Sequence, residues 1–139
     1  MRNIGFIYII LTSLLLNSCA IQVPPGGGEK DVIPPKLLKA EPPNFSTGFT
    51  GHDFKLDFDE YITLNDLGNQ LIVSPLLKNA PEVHVRKKSL LVHISDTLLE
   101  NTTYTINFGQ GIADNNEGNK LDNFQYVFFN RLCYRFLWN

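Results

Sequence analysis

Leu98-Leu99-Glu100-Asn101-Thr102-Thr103-Tyr104-Thr105-Ile106-Asn107-Phe108 is the stretch on which the fold turns. Tyr104, Ile106 and Phe108 fall at every second position, with Thr105 and Asn107 between them. One face is therefore apolar and the other polar, the period-2 pattern of a half-buried strand. Glu100-Asn101, just before the strand, suits a tight corner. A tyrosine that starts a strand after such a corner can send its hydroxyl back to the upstream backbone. Tyr104 is thus expected to brace the fold and not to act as a site residue.

The same alternation continues in both directions. Phe54, Leu56 and Phe58 point one way while Lys55 and Asp57 point the other, and Gln70-Leu71-Ile72-Val73-Ser74 reads as a short strand stopped by Pro75. Val83 and Val85 alternate with Glu82, His84 and Arg86, and after Lys87-Lys88 come Leu90, Val92 and Ile94. Folding that segment about Lys87-Lys88 sets Val85 opposite Leu90 and Val83 opposite Val92, so the two apolar faces coincide and a hairpin is self-consistent. Lys-Lys is a poor pair for a two-residue turn with both residues at positive φ, so a wider loop is expected. Phe124, Tyr126 and Phe128 supply a last aromatic strand after the turn-forming run Asp114-Asn115-Asn116-Glu117-Gly118-Asn119. Six or seven short strands about ten residues apart, with no amphipathic helix of useful length, predict an all-β antiparallel sandwich.

Length and composition agree. The chain has 139 residues, 43% of them hydrophobic and 19% charged, enough for one globular domain and too few for two. The net charge is −2 and the longest basic run is Arg86-Lys87-Lys88, which gives a phosphate backbone little to hold, so no nucleic-acid partner is expected. The cysteines, Cys19 and Cys133, are not a disulfide framework.

At the N-terminus, Met1-Arg2-Asn3 precedes an apolar run from Ile4 to Leu16, followed by Asn17-Ser18-Cys19-Ala20. One positive charge, a short apolar run and a small residue before the cut describe a secretory signal peptide; a membrane-crossing helix needs about 20 apolar residues. Leu16-Asn17-Ser18-Cys19 resembles the bacterial lipobox. That resemblance implies a diacylglycerol thioether on Cys19, cleavage before it and acylation (palmitate or a similar chain) of the new N-terminus. With Ala20 and not an acidic residue next, it also implies the outer membrane. Two or more acyl chains hold a membrane stably, at about 0.8 kcal/mol per buried CH₂. Residues 20–35 carry Pro24, Pro25, Pro34 and Pro35 with Gly26, Gly27 and Gly28, which excludes a helix or a central strand. They read as a tether reaching roughly 50 Å at about 3.3 Å per residue.

Several constellations of side chains bear on chemistry. His52, His84 and His93 are too few convergent ligands for zinc; in the hairpin above, His84 and His93 stand diagonally on the outward face with Glu82 opposite His93. Asp57, Asp59 and Glu60 cluster at one strand end, and Asp114, Asn116 and Glu117 share a loop. The latter three are the candidates for calcium as a structural staple, but EF-hand spacing is absent and such residues form turns for conformational reasons alone. No metal and no cofactor are expected. No nucleophile elbow or phosphate-cradling loop is present, and a bare sandwich offers two carboxylates no deep sugar cleft. No catalytic residue is therefore expected.

Together, Asp31-Val32-Ile33-Pro34-Pro35-Lys36, Glu41-Pro42-Pro43-Asn44, Phe58-Asp59-Glu60-Tyr61, Ile72-Val73-Ser74-Pro75, the Asn101–Phe108 stretch and Ile112-Ala113-Asp114-Asn115-Asn116-Glu117-Gly118-Asn119 resemble the Ig-like domain of bacterial S-layer and surface proteins, the SbsA-like type. More narrowly, the chain is similar to Bacteroidetes lipoproteins that place such a domain just after the lipid anchor. The resemblance covers the lipobox to Phe128, and Tyr104 then resembles the tyrosine corner of Ig-like sandwiches. It implies a signal peptide at 1–18, a lipidated cysteine and tether at 19–35, an Ig-like sandwich at 36–129 and an atypical tail at 130–139. Family members usually close the last strand with a Ser/Thr-Gly turn and continue much further. Here Phe129-Asn130-Arg131-Leu132-Cys133-Tyr134-Arg135-Phe136-Leu137-Trp138-Asn139 follows, read as a frameshifted or truncated remnant that adds nothing specific to the fold. The expected function is a non-enzymatic, lipid-anchored envelope module, a spacer or protein-interaction domain. The alternatives are a surface glycan-binding module and a non-functional fragment of a longer lipoprotein.

Overall fold

A computed structural model describes residues 28–131. The chain divides into two units, Met1–Lys30 and Asp31–Asn139; of the first, only residues 28–30 are described, and all three are exposed. The expected signal peptide, Cys19, residues 19–27 of the tether, and residues 132–139 of the tail with Cys133 lie outside the described residues.

The second unit is an antiparallel β-sandwich of the expected class. Its described strands are β1 (Leu37–Glu41), β2 (Asp53–Phe58), β3 (Ile62–Leu64), β4 (Ile72–Ser74), β5 (Glu82–Arg86), β6 (Ser89–His93), β7 (Thr102–Asn107), β8 (Ile112–Asp114), β9 (Lys120–Leu121) and β10 (Gln125–Asn130), with one short helix, α1 (Leu67–Gln70), between β3 and β4. They form sheets in the orders β1-β2-β6-β5, β10-β7-β4 and β3-β8-β9, every ladder antiparallel.

The alternation read from the sequence fills the core. Phe54, Leu56 and Phe58 from β2, Leu90 and Val92 from β6, Tyr104 and Ile106 from β7, and Tyr126 and Phe128 from β10 are all buried. The first two sheets meet through the ring of Phe54, stacked on that of Tyr126 with centroids 4.0 Å apart. Stacked aromatic pairs add attraction beyond their buried area. The outer edge of β10 is covered by the segment after β1. Phe45 N–H donates to Val127 O at 2.7 Å and Phe129 N–H to Ser46 O at 2.8 Å, while Asn44 Oδ1 accepts from Val127 N–H at 2.8 Å. An edge so paired offers no template to another chain.

The β5–β6 hairpin has the expected register, with Val85 opposite Leu90 and Val83 opposite Val92. Its loop is not wider than two residues: Arg86 pairs directly with Ser89, because Lys87 adopts φ 61° and turns the chain by itself. The expected inward Val85 stays 37% exposed, since β5 is an edge strand with no neighbour beyond it. The strand expected over residues 70–74 is shorter. One helical turn occupies Leu67–Gln70, with Leu71 N–H donating to Leu67 O at 2.8 Å, and the strand starts at Ile72. That turn sends Gln70 toward β7's end, where its Oε1 accepts the N–H of Gln110 at 3.1 Å. Strands β3, β8 and β9 exceed the six or seven expected. All three residues of β8 are buried, so it carries no alternation to read.

Candidate functional site

At one end of the sandwich the β8–β9 loop closes around Asp114, which is 1% exposed. Asp114 Oδ1 accepts the N–H groups of Asn116 (2.8 Å), Glu117 (2.6 Å) and Gly118 (3.0 Å), and Oδ2 accepts that of Asn119 (2.8 Å). Gly118 at φ 79° is where the loop reverses, a conformation that favours glycine. Burial by itself would raise the Asp114 pKa, but these four donors hold it below the ordinary carboxylate range. Of the calcium candidates, Asn116 and Glu117 are exposed and Asp114 faces its own loop. What Asp114 does here is fold a turn.

Asn119 extends this end to the incoming chain. Its Nδ2 donates to Asp31 O at 3.0 Å, while Lys36 N–H donates to Asp59 Oδ1 at 2.8 Å, so the domain holds the polypeptide from Asp31 onward. Asp59 and Glu60 of one sequence cluster come near Asp114 and Glu117 of the other here, while Asp57 stays apart with Lys55. The Glu60 carboxyl is pushed up by burial and then by repulsion from Asp114, Asp59, Asp31 and Glu117. No group of three or more His, Cys, Asp or Glu side chains is placed to hold a metal ion among the described residues.

The outer face of the β1-β2-β6-β5 sheet carries the histidines. Glu82 stands opposite His93 and His84 opposite Leu91, as the hairpin register requires. His93 Nδ1 lies 2.7 Å from Asp53 Oδ1, and His52 Nδ1 lies 2.9 Å from Ile94 O.

The same face ends, at the hairpin tip, in a hollow of about 670 Å³ lined by Lys55, Tyr61, Arg86, Lys87, Lys88, Ser89 and Leu91. Lys55 pairs with Asp57 at 2.8 Å, and Ser89 Oγ donates to the same carboxylate at 2.5 Å; the two bonds hold the Asp57 pKa below its usual value. Lys88 Nζ donates to Asp59 O at 2.6 Å and sits 5.7 Å from the centroid of the Tyr61 ring, which is 54% exposed. Nothing in the sequence alone connects the Arg86-Lys87-Lys88 run to Tyr61, 25 residues upstream of Arg86. The available signal is the hairpin register, which sets Arg86 opposite Ser89 at the tip; the pairing of Ser89 with Asp57 of β2 is not read from it.

A second hollow, of about 440 Å³, is an apolar slot between β4 and β5 whose walls include Leu71, Val73, Leu76, Leu77 and Val83. No helix among the described residues is long and apolar enough to cross a membrane.

Residues 31–130 match the family described as bacterial Ig-like domain. No curated protein matches the chain. Among solved structures, the chain is similar to the N-terminal part of the bacterial S-layer protein SbsC, with 19% identity and a TM-score of 0.48 over 71% of this chain and 24% of that one. It is similar to PcoC, a methionine-rich copper resistance protein from Escherichia coli, with 16% identity and a TM-score of 0.49 over 70% and 98% of the two chains. It is also similar to an L,D-transpeptidase from Mycobacterium smegmatis, with 12% identity and a TM-score of 0.44 over 71% and 41%. The chain thus spans about a quarter of the SbsC fragment's length.

Proposed function

We propose, from the premise that this chain belongs to the bacterial Ig-like domain family, that it is a non-enzymatic module of the cell envelope, tied to the outer membrane through lipid on Cys19 and acting as a spacer or protein-interaction domain. The observation that carries this reading is where the fold takes hold of the chain. Asn119 and Asp59 bind the backbone of Asp31 and Lys36, immediately after a lipobox-like Leu16-Asn17-Ser18-Cys19 and a Pro/Gly-rich stretch. A domain that begins directly behind an anchor and a spacer suits display at a set distance from a lipid surface. The strongly held polar side chains serve the fold: Asp114 closes a loop, Tyr104 a corner, and Tyr126 donates its hydroxyl to Pro42 O at 2.9 Å.

The test is fractionation of the native cells followed by proteolysis of intact cells. Recovery with the outer membrane, released only by detergent, supports the proposal, and cleavage in intact cells assigns the outer leaflet. Recovery as a soluble periplasmic or secreted protein contradicts it. A second reading, a glycan-binding module, is favoured by the exposed ring of Tyr61 in the hairpin-tip hollow.

A further inference from the structure

We infer that the hollow at the β5–β6 tip is a binding surface for a carboxylate-bearing polysaccharide, with Tyr61 as the platform for a sugar ring and Arg86, Lys87 and Lys88 as the partners of its carboxylates. The inference rests on the glycan-binding reading and gives it a place and a ligand class.

Charge is the first ground. The chain is acidic overall, yet four of its 12 Lys and Arg residues line this one hollow. The ion pairs among the described residues are Lys39–Glu41, Lys55–Asp57 and His93–Asp53. Lys55 is therefore neutralised by Asp57, and the other three cations of the hollow have no carboxylate partner among the described residues. Pairing them with an external anion costs no internal ion pair. Arg offers a planar fork suited to a carboxylate, and Lys a point charge that adapts to spacing.

Preorganisation is the second ground. The Lys88 ammonium is fixed by Asp59 O and lies against the Tyr61 ring. The backbone of Lys87 is bent to positive φ and that of Arg86 is paired in register opposite Ser89, so the tip carries both exposed cations on a fixed main chain. Less freedom is lost on binding when the groups are already placed.

The third ground is the mixture of surfaces. A nearly half-buried tyrosine ring and the half-buried Leu91 give apolar faces to the C–H side of a sugar, while the cations lie beside them. The volume of about 670 Å³ falls within the range of ligand pockets, about 300–1,000 Å³. A purely acidic peptide would use the cations and leave the ring idle. The carboxylates of Asp59 and Glu60 immediately precede Tyr61 in the chain, and Glu60 shares the field of Asp31, Asp114 and Glu117; this acidic border confines an anionic ligand to the Lys88 side of the ring.

The experiment uses the full chain carrying Cys19→Ser, in mild detergent, so that lipid plays no part. It is titrated with soluble polygalacturonate, with neutral dextran and with polyglutamate. Polygalacturonate is expected to bind, weakening about tenfold as salt rises from about 50 to 300 mM, because the exposed charges become screened. The triple variant Arg86→Gln, Lys87→Gln, Lys88→Gln is expected to lose about tenfold or more and to flatten the salt dependence. Tyr61→Ala is expected to lose several-fold for polygalacturonate with the salt dependence unchanged and the melting temperature preserved. Equal binding of dextran would overturn the role of the cations while leaving a glycan site. Equal binding of polyglutamate, indifferent to Tyr61→Ala, would overturn the glycan reading itself. Binding to none of the three would overturn both.

Discussion

The backbone N–H of Leu99 donates to the hydroxyl of Tyr104 at 2.9 Å, five residues on, closing a corner from the loop onto strand β7. The ring below that bond is 2% exposed and stacks on Phe128 of β10 with centroids 5.5 Å apart. One side chain thus ties the corner to the strand pair that follows it. Asn101, at φ 50°, makes the reversal between them; asparagine tolerates this conformation better than most residues.

Tyr104→Ala is expected to cost about 3–5 kcal/mol, the usual range for a truncated buried aromatic. Tyr104→Phe keeps the ring and leaves the Leu99 donor unpaired, at about 1–3 kcal/mol. Denaturant unfolding of both variants checks this. A Tyr104→Ala protein as stable as its parent would refute the corner.

Asp114→Asn removes a charge that accepts four backbone N–H groups, so it is expected to lower the melting temperature at pH 7 by several degrees. The sign with pH follows from the depressed pKa. The Asp114 contribution is fully present above the ordinary value of 3.8 and is lost as pH falls through the lower folded value. The gap between parent and variant should therefore be constant from neutral pH down to about 5 and close only in strong acid. A gap that closes between pH 7 and 5 would contradict the loop geometry.

Glu60 has the opposite sign. Its carboxyl is raised by burial and by the surrounding acids, so its ionised form is a penalty in the folded state above the raised value. That penalty is relieved as pH falls toward and below the ordinary 4.5. Glu60→Gln is expected to raise the melting temperature at pH 7 and to lose this advantage near pH 4. Melting curves at the two pH values check it, and a Glu60→Gln protein less stable than its parent at pH 7 would show that Glu60 is a needed partner.

What was legible in the sequence, and what was not, follows from the same physics. Strands with one wet face, such as β2 and β7, display their burial as alternation, and the β5–β6 register followed from making two such patterns coincide. Tyr104 could be read because its bond is local, five residues back. β8 could not, because Ile112, Ala113 and Asp114 are all covered. The tight turn at Lys87 was missed because lysine carries no turn signal; register in the sheet overrides its preference for negative φ. The hairpin-tip hollow was missed because Tyr61 reaches it from the start of β3, while the cations come from the β5–β6 turn.

The most direct test of an anchored envelope module is metabolic labelling with a fatty-acid probe, comparing the natural chain with Cys19→Ser. The natural chain should incorporate the label and run as a processed form in the membrane fraction. Cys19→Ser should take up none and accumulate as the longer precursor. Equal labelling and processing of the two proteins would contradict lipid attachment at Cys19, and with it the proposed display of the domain at the membrane surface.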